Sequence, residues 1–448
     1  DAYFNSLRSK EYDAGAYLSH ISSSGKVRGW EGFPGMSETS TGVFGSRFFS
    51  GNTLSGNIDF SRNSYHYYGY DDTFYEKKDT KHRFTDIGGN ILLGSNLENG
   101  SDTRYKAGLE FGNFSDNTGH QEGRFLIDGG LYTKLGEFEA GGRILADINK
   151  YESDSLGSQK RNIFKIEPRF SRKFGRLELT AGLNIPIDAN EKTNYYLLPH
   201  VRLDVIVAKE TISAFAQLSG DVERTSYRSL SKDNPFIGNF DGPALLNKRN
   251  NFDLQGGVNI KIENQLAFIG SFAFTRIKDD AFFINQQNIE YNPDTSIYRQ
   301  RTEYGVLYND NTQLKLHAEL VYDQNDKSGI SLALDYESNK TDTLDKPLFR
   351  PGFTLTAKGH YNIGEKIFTK ASIAWVDSRY YYKGYSQGQQ EFGTLDGYLD
   401  VSLGVDYRFS KVLSTFIQIN NVTASKYSRW YNYPSYRLGV FAGASYAF

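Results

Sequence analysis

Apolar and polar residues alternate along most of this 448-residue chain. Within residues 395–409 an apolar residue or glycine occupies every second position, and mostly charged and hydroxyl side chains stand between them. Residues 138–148, 177–187 and 313–322 follow the same pattern. A period of two predicts β-strands with one apolar face and one polar face. These runs are long enough for tilted strands that cross a membrane, which need about 9–11 residues.

The connections between the predicted strands alternate between short and long. Short turns are predicted at 48–53, 173–176, 262–265, 362–366 and 408–411. Longer polar loops are predicted at 66–80, 225–248, 279–299, 339–350, 380–393 and 425–433. Short turns on one side and long loops on the other are typical of outer-membrane β-barrels.

The predicted fold class is therefore all-β, a large antiparallel transmembrane β-barrel of about 20 strands, with a range of roughly 16–22. Residues 1–448 form one barrel domain, in which one long strand extends over 300–323. Residues 1–11 are predicted to be the end of a leading strand and a turn, which leaves open whether a region upstream is missing. The alternative is a soluble sandwich or propeller, but strands of such proteins are typically only about 5–6 residues long.

Aromatic residues stand where the predicted strands end. One group lies beside the long loops: Tyr67, Tyr68, Tyr381, Tyr382, Trp430 and Tyr431. Tyr407 and Phe409 lie at the opposite ends of strands. Aromatic rings collect at the headgroup level of both membrane surfaces, so the pattern predicts two interfacial girdles. Tyrosine-rich loops also bind sugars or proteins, and at 429–434 both roles remain open.

The polar faces of the predicted strands point into the barrel. The candidate interior residues are Glu139, Arg143, Asp147, Lys315, His317, Glu319, Asp396, Asp400 and Arg408. They carry both signs of charge, so no single-sign selectivity ring is predicted.

Composition narrows the function classes. Only 38% of residues are hydrophobic and the mean hydropathy is −0.55, whereas 15% are aromatic, as suits strands. The chain has no cysteine, which excludes disulfides, zinc–thiolate sites and a cysteine nucleophile. The net charge of −2 gives no reason to expect a nucleic-acid partner.

No catalytic motif is found, so we expect no enzyme activity and no cofactor. The seven histidines are dispersed, and no two have ligand spacing. The acidic pairs Asp71–Asp72 and Asp279–Asp280 lie in or beside predicted loops. They offer a weak calcium site, but without the spaced pattern of a dedicated one. A solvated loop is the favoured interpretation.

The chain ends in the alternating sequence RLGVFAGASYAF, in which Leu438, Val440, Tyr446 and Phe448 share one face. This strand resembles the C-terminal targeting signal of bacterial outer-membrane proteins. The resemblance implies recognition by the barrel-assembly machinery, insertion into outer-membrane lipid, a periplasmic C-terminus and extracellular long loops.

Residues 398–427 and the final strand resemble the end of a TonB-dependent receptor barrel. The positions that match the family pattern are Asn421, Val422 and Thr423, followed by Lys426 and Tyr427. DNPFIGNF (233–240) and KDDAFFINQ (278–286) resemble the middle of such barrels, especially those of Bacteroidota. A complete receptor carries a plug domain, which we do not expect in this sequence, so something else must fill or cover a barrel of this width.

Three functions remain. The first is a TonB-dependent transporter for a ligand such as a glycan, siderophore or peptide, with TonB as partner and its plug outside this chain. The second is a barrel that scaffolds a complex of outer-membrane subunits or lipoproteins for secretion or barrel assembly. The third is a passive porin, which is disfavoured because no constriction of one charge sign is evident.

Overall fold

The computed structural model describes residues 1–6, 9–30, 32–69, 77–95, 102–155, 157–190, 192–208, 211–238, 244–262, 265–292, 297–324, 327–386 and 388–447, without side chains at 287–300. The secondary structure of these residues is nearly all β, with one helix, α1 (Tyr227–Asp233). No helix in the described part is both long and apolar enough to cross a membrane.

Twenty-seven strands are described. In chain order they are β1 Ala2–Asn5, β2 Tyr12–Ser23, β3 Met36–Phe48, β4 Asn52–His66, β5 Lys81–Ser95, β6 Thr103–Asp116, β7 Gln121–Leu135, β8 Phe138–Ser153, β9 Gly157–Lys160, β10 Asn162–Phe174, β11 Leu177–Ala189, β12 Thr193–Tyr195, β13 Leu198–Ala208, β14 Ile212–Glu223, β15 Lys248–Ile262, β16 Leu266–Asn292, β17 Ile297–Gln324, β18 Ser328–Thr341, β19 Phe353–Ile363, β20 Ile367–Val376, β21 Arg379–Ser386, β22 Gln389–Leu395, β23 Tyr398–Arg408, β24 Leu413–Asn420, β25 Ser428–Trp430, β26 Tyr433–Pro434 and β27 Gly439–Tyr446.

One antiparallel sheet contains 23 of the described strands. β9 and β12 are short and pair with one neighbour only, so 21 strands form a continuous ladder from β1 to β27. This number lies within the predicted range. β21–β22 and β25–β26 form separate hairpins.

Four of the five predicted short turns, 48–53, 173–176, 362–366 and 408–411, are confirmed, and they all lie at one end of the sheet, the turn end. Residues 263 and 264 of the fifth, 262–265, lie outside the described residues. Two-residue turns there use glycine with positive φ, Gly136 (69°) after β7 and Gly175 (61°) after β10. Glycine adopts this backbone conformation without steric cost, so it permits a tight reversal between long strands.

The described parts of the predicted long loops lie at the opposite end, the loop end, with two corrections. Residues 380–393 largely form the paired strands β21 and β22, with residue 387 outside the described residues. Residues 279–299 are not a loop, because β16 and β17 continue through most of this range as paired strands. Their ladder is interrupted between Ile277 and Asp280 by a bulge, where Asp279 has φ 57°. Bulges bend and twist the strand that contains them. The predicted long strand over 300–323 is confirmed as part of β17.

The two faces of the sheet differ in exposure and in contacts. Cross-strand pairs such as Ile373–Val401 and Leu403–Ile419 belong to an apolar face on which many large side chains are exposed; Ile373 and Leu403 are each 44% exposed. Exposed large apolar side chains occur along the ladder from Tyr3 in β1 to Tyr446 in β27. The polar residues between them line the other face and contact one another.

The polar face is concave. β5 and β14 are seven ladder steps apart, which is roughly 34 Å in a flat sheet with strands about 4.8 Å apart. Arg228, five residues after β14, nevertheless places its Nε 2.7 Å from Oδ2 of Asp86 in β5. Since five residues span at most about 18 Å, the sheet must curl around its polar face.

The curl brings the two ends of the ladder together at the loop end. The Tyr436 hydroxyl, just before β27, lies 3.3 Å from Oγ of Ser23 at the end of β2. It is also 3.2 Å from the carbonyl oxygen of Gly25. Among the described residues, no ladder hydrogen bonds join β1 to β27.

Candidate functional site

The loops fold over the concave polar face and build a hydrophobic core at the loop end. We call this set of buried side chains the loop-end core. Its members are Tyr67, Phe84, Phe114, Tyr151, Tyr227, Leu230, Ile237, Leu245, Phe282, Tyr304, Val306, Leu344, Leu348, Trp430 and Tyr433. They come from strands and loops throughout the chain, so the core ties the loops to each other across the mouth of the sheet.

Aromatic stacking organises one part of the loop-end core. The Phe236 and Tyr433 rings stack with centroids 3.6 Å apart. Trp430 packs edge-on against Tyr304, with 5.2 Å between ring centroids. The Tyr304 hydroxyl donates a hydrogen bond of 2.9 Å to the carbonyl of Tyr431. The outer half of β17 is thereby joined to the last long loop, because Tyr304 lies beyond the bulge.

Helix α1 crosses the polar face beneath these rings. It begins with a capping box, in which the Ser226 hydroxyl accepts a hydrogen bond of 3.0 Å from the Ser229 backbone N–H. Its own side chains Tyr227 and Leu230 are buried. Seven residues are too few for a stable isolated helix, so tertiary contacts must hold α1 in place.

A buried carboxylate anchors α1. Asp116 accepts hydrogen bonds from Tyr227 (2.5 Å) and Thr118 (2.6 Å) and lies within 3.0 Å of ring nitrogens of His82 and His120. Its side chain is fully buried. Burial raises the pKa of Tyr227 well above its usual value, so this hydroxyl keeps its proton and donates a hydrogen bond to Asp116.

Arginines fix the segments on either side of α1. Arg161 is buried. Its guanidinium donates a hydrogen bond of 2.6 Å to the carbonyl oxygen of Thr225 and another to the side-chain oxygen of Asn247. Burial and, secondarily, Arg224 lower the pKa of Arg161 to about 10, so it stays charged at neutral pH. Arg224 pairs with Asp147 at 2.9 Å.

A polar cavity of about 670 Å³ lies beside α1, on the polar face of β4–β7. Charged side chains of both signs line it: Asp59, Asp86, Glu110, Glu122, Arg124, Arg224, Arg228 and Lys232. A space of this size and polarity suits a polar ligand rather than an apolar one.

Most of the predicted interior residues lie on the polar face, where they pair with neighbours. Glu139 pairs with Arg104, and Arg143 contacts Asp128 at 2.6 Å. Asp147 is buried between Arg124 and Arg224, at 3.0 and 2.9 Å.

Of the other predicted interior residues, Lys315, Asp396 and Arg408 are exposed, and His317, Glu319 and Asp400 are partly exposed. Lys315 lies 3.8 Å from Glu337, and His317 lies 3.9 Å from Glu319 and 2.7 Å from Asp335. Asp400 accepts a hydrogen bond of 2.7 Å from the Tyr427 hydroxyl. Arg408 stacks on the Phe368 ring at 4.6 Å. Asp396 precedes β23 and is exposed.

The predicted girdle at the loop end is wrong for Tyr67 and Trp430, which are buried in the loop-end core. The rings of Tyr68 and Tyr433 meet edge-on at 4.9 Å. Tyr381 stacks on Tyr431 at 4.0 Å, and Tyr382 packs beside Leu344 and Phe282. Aromatic composition predicted an interface with lipid, but the loops have enough aromatic surface to pack on each other.

The turn-end aromatics differ. Tyr407 and Phe409 meet edge-on at 4.6 Å and Phe409 is exposed. Leu438, Val440 and Tyr446 are likewise exposed on one face of the terminal strand. Phe448 lies outside the described residues. The girdle at this end and the targeting role of the terminal strand stay predictions.

The weak calcium site also stays a prediction. Asp71 and Asp72 lie outside the described residues. Asp280 accepts hydrogen bonds of 2.8 Å from Arg350 and Asn311. In the described part of the chain, no three potential metal-ligating side chains form a group.

The anchor around Asp116 has no counterpart among the sequence motifs. Tyr227 and Asp116 are 111 positions apart, so no local pattern connects them. The seven histidines are dispersed along the sequence, yet His82 and His120 converge on one carboxylate. Only their place at the loop ends of paired strands would have hinted at it.

Solved structures of other proteins share the fold of this chain. No protein-family model and no curated protein matches the chain. Among solved structures, the ferric enterobactin receptor PfeA of Pseudomonas aeruginosa matches with TM-score 0.70 and 14% identity over 100% of this chain and 77% of that chain. The siderophore receptor PirA of Acinetobacter baumannii matches with TM-score 0.74 and 10% identity over 100% of this chain and 77% of that chain. The FrpB iron transporter of Neisseria meningitidis matches with TM-score 0.73 and 11% identity over 98% of this chain and 77% of that chain.

The chain has the fold of these receptors. The other neighbours include the copper transporter OprC and the ferric-catecholate import receptor Fiu of E. coli. The family predicted from residues 398–427 is thus supported at the level of the fold.

Proposed function

We propose that this chain is the membrane-spanning β-barrel of a TonB-dependent receptor type of protein, which takes up a ligand across the bacterial outer membrane. The observation that carries the proposal is the inverted sheet, with an exposed apolar face outside and a polar, loop-covered interior. Soluble monomers rarely expose apolar patches larger than a few hundred Å². A continuous apolar face through about twenty strands requires lipid around it.

The orientation follows from the same inference. The turn end faces the periplasm together with the C-terminus, and the loop end with its core faces outward. The barrel takes in residues 1–448 as a single domain and is inserted by the barrel-assembly machinery. TonB acts through a plug outside this chain.

The covered mouth favours gated uptake over passive diffusion. The loop-end core packs buried aromatic rings from distant loops against one another, whereas a porin needs a continuous aqueous path. The polar cavity beside α1 offers charged groups of both signs for a polar ligand. Since the structural neighbours include receptors and transporters for ferric enterobactin, siderophores, iron and copper, metal chelates are the first ligands to test.

Lipid exposure can be measured with the chain's own tryptophans. The chain has three, and replacing Trp30 with Phe leaves Trp375 on the apolar face (38% exposed) and Trp430 in the loop-end core (8% exposed). In vesicles of lipids with brominated acyl chains, we expect quenching of Trp375 and none of Trp430. Equal quenching of both, or of neither, would contradict the proposed barrel.

Uptake is tested in the source bacterium with radiolabelled ferric catecholate and with copper. We expect uptake that is lost on deletion of the gene and on addition of an uncoupler, because TonB requires the proton gradient. Uptake that survives the uncoupler would indicate a passive pore. No gene-dependent uptake, together with stable co-purifying subunits, would favour the scaffold instead.

A further inference from the structure

A row of cations lies on the polar face near the turn end of β18–β24. We call it the basic track: Lys327, Lys358, His360, Lys366, Lys370, Arg408 and Lys411. All of these side chains are exposed. Only Lys370 has an ion pair with a described residue, Asp406, at 3.4 Å, and both partners are largely exposed.

The opposite wall, β6–β14, is different because its cations are mostly paired. Arg124 pairs with Glu110 at 3.0 Å, Arg143 with Asp128 at 2.6 Å and Lys165 with Asp221 at 2.6 Å. At the turn end on that side, Arg172 pairs with Glu137 and Lys173 with Glu178. The charges of that wall are therefore largely neutralised within the fold, whereas those of the basic track are not.

Register places the track on one face. Lys358 is opposite Ser331 and Ser372, and His360 is opposite Gly329 and Lys370. Directly opposed residues in an antiparallel pair point to the same side. The next strand continues these rows with Ser402 and Gly404. The track is thus flanked by small and hydroxyl side chains that leave its cations accessible.

Two recesses follow the track. One of about 400 Å³ is lined by Lys358, His360 and Lys370, with serines around them and Asp323 as its one carboxylate. The second, of about 670 Å³, lies at the rim and is lined by Lys327, Lys366, Arg408 and Lys411. Along β20 the distance from Lys366 to Ser372 is about 20 Å, at roughly 3.4 Å per residue.

We propose that the basic track binds an acidic polypeptide segment in extended conformation, which enters the interior from the turn end. Carboxylates spaced along an extended chain match a linear series of cations, and the serine hydroxyls supply hydrogen bonds to its backbone. A compact small anion would use only one recess. The inference rests on the concave polar face and not on the uptake of any ligand, so it can hold or fail independently of the proposed function.

The test uses the purified 448-residue chain and fluorescein-labelled hexaglutamate, with hexaglutamine as a neutral probe, in fluorescence anisotropy. We expect hexaglutamate to bind and hexaglutamine not to bind. Raising the ionic strength from about 0.05 M to 0.5 M should weaken binding at least tenfold, because exposed charges are screened. A carbodiimide then couples bound carboxylates directly to amines, and the linked lysines should be those of the track.

The decisive comparison is between two double variants. Lys358→Glu with Lys370→Glu should weaken hexaglutamate binding at least tenfold. Lys106→Glu with Lys134→Glu, exposed lysines on the polar face of β6 and β7, should change it less than twofold. Heat-modified mobility on a gel verifies that each variant is folded, and Lys→Gln versions replace any that is not.

Three outcomes would overturn the proposal. They are no binding of hexaglutamate to the folded chain, equal weakening in both double variants, and carbodiimide links outside the track. If phosphatidylglycerol vesicles displace hexaglutamate and bind in a Lys358- and Lys370-dependent manner more tightly than the peptide does, the track is a lipid headgroup site instead.

Discussion

Aromatic and aliphatic side chains face opposite directions in the two halves of this molecule. In the strands they point outward and are exposed, and the polar residues lie inside. At the loop end they point inward and are buried against one another. Two tryptophans summarise the contrast, since Trp375 lies on the outer face of β20 and Trp430 lies inside the loop-end core.

The difference has a physical cause. Backbone groups of the strands are satisfied by the ladder, so the strands need no buried core and can present apolar residues to lipid. The loops lack such a ladder and emerge into water, where ordering them costs about 1–2 kcal/mol per residue in backbone entropy. Burial of aromatic surface offsets that cost. The same residue type is therefore stabilising on opposite faces in the two regions.

The largest effect is expected when the loop-end core loses an aromatic ring. Trp430→Ala should destabilise the closed loops by about 3–5 kcal/mol, as for other buried tryptophans. Hydrogen exchange of the amides in α1 and in residues 234–238 measures this opening. Trp375→Ala is the matched control and should leave these amides unchanged. If both variants open the loops equally, the loops and the strands do not have separate cores.

The next effect tests the strands. Ile373→Arg places a charge on the outward face of β20 and should cost about 2–4 kcal/mol in a bilayer. Ser372→Arg, one residue away on the polar face, should cost less than about 0.5 kcal/mol. Urea unfolding of the two variants in vesicles makes the comparison. A larger cost for Ser372→Arg would reverse the assignment of the two faces.

A smaller effect concerns the polar anchor of the loop end. Asp116→Asn replaces a charged acceptor that is shared by Tyr227 and two histidines, and should cost about 1.5–3 kcal/mol. The loss should appear as faster exchange in α1, with the strand amides of β18–β20 unaffected. Tyr227→Phe removes one of the donors and should show part of the same effect. Unchanged exchange in both variants would mean that the anchor does not hold the loops.

The smallest effect is expected at the turn end. Arg172→Ala removes an exposed ion pair with Glu137 and should change the free energy of unfolding by less than about 0.5 kcal/mol. Because the turns have no buried core, no loop opening should follow. A loss comparable to that of Asp116→Asn, measured by the same urea titration, would remove the contrast between the two ends.

The strands and the turns could be predicted because they depend on local features. A period of two fixes which residues share a face, and residues such as Gly136 and Gly175 mark tight reversals. The loop 279–299 was predicted incorrectly because its polar residues resemble a loop. Strand pairing between β16 and β17 outweighed that local preference.

The loop-end core could not be predicted for a different reason. Tyr67, Tyr304 and Trp430 are far apart in the chain, and each one by itself resembles a residue at a membrane surface. Their common burial depends on how far the sheet curls and on where each loop reaches. These are consequences of many strand registers acting together.

By itself the sequence determined the all-β fold, the long alternating strands and the inversion of apolar and polar faces, because each follows from the order of neighbouring residues along a strand. Tertiary structure alone decided which loop aromatics are buried, how Asp116 comes to hold α1, and why most cations of β6–β14 form ion pairs while most of those in the basic track do not. Those contacts join residues from strands that are distant in sequence, and only the curvature of the sheet brings them within bonding distance.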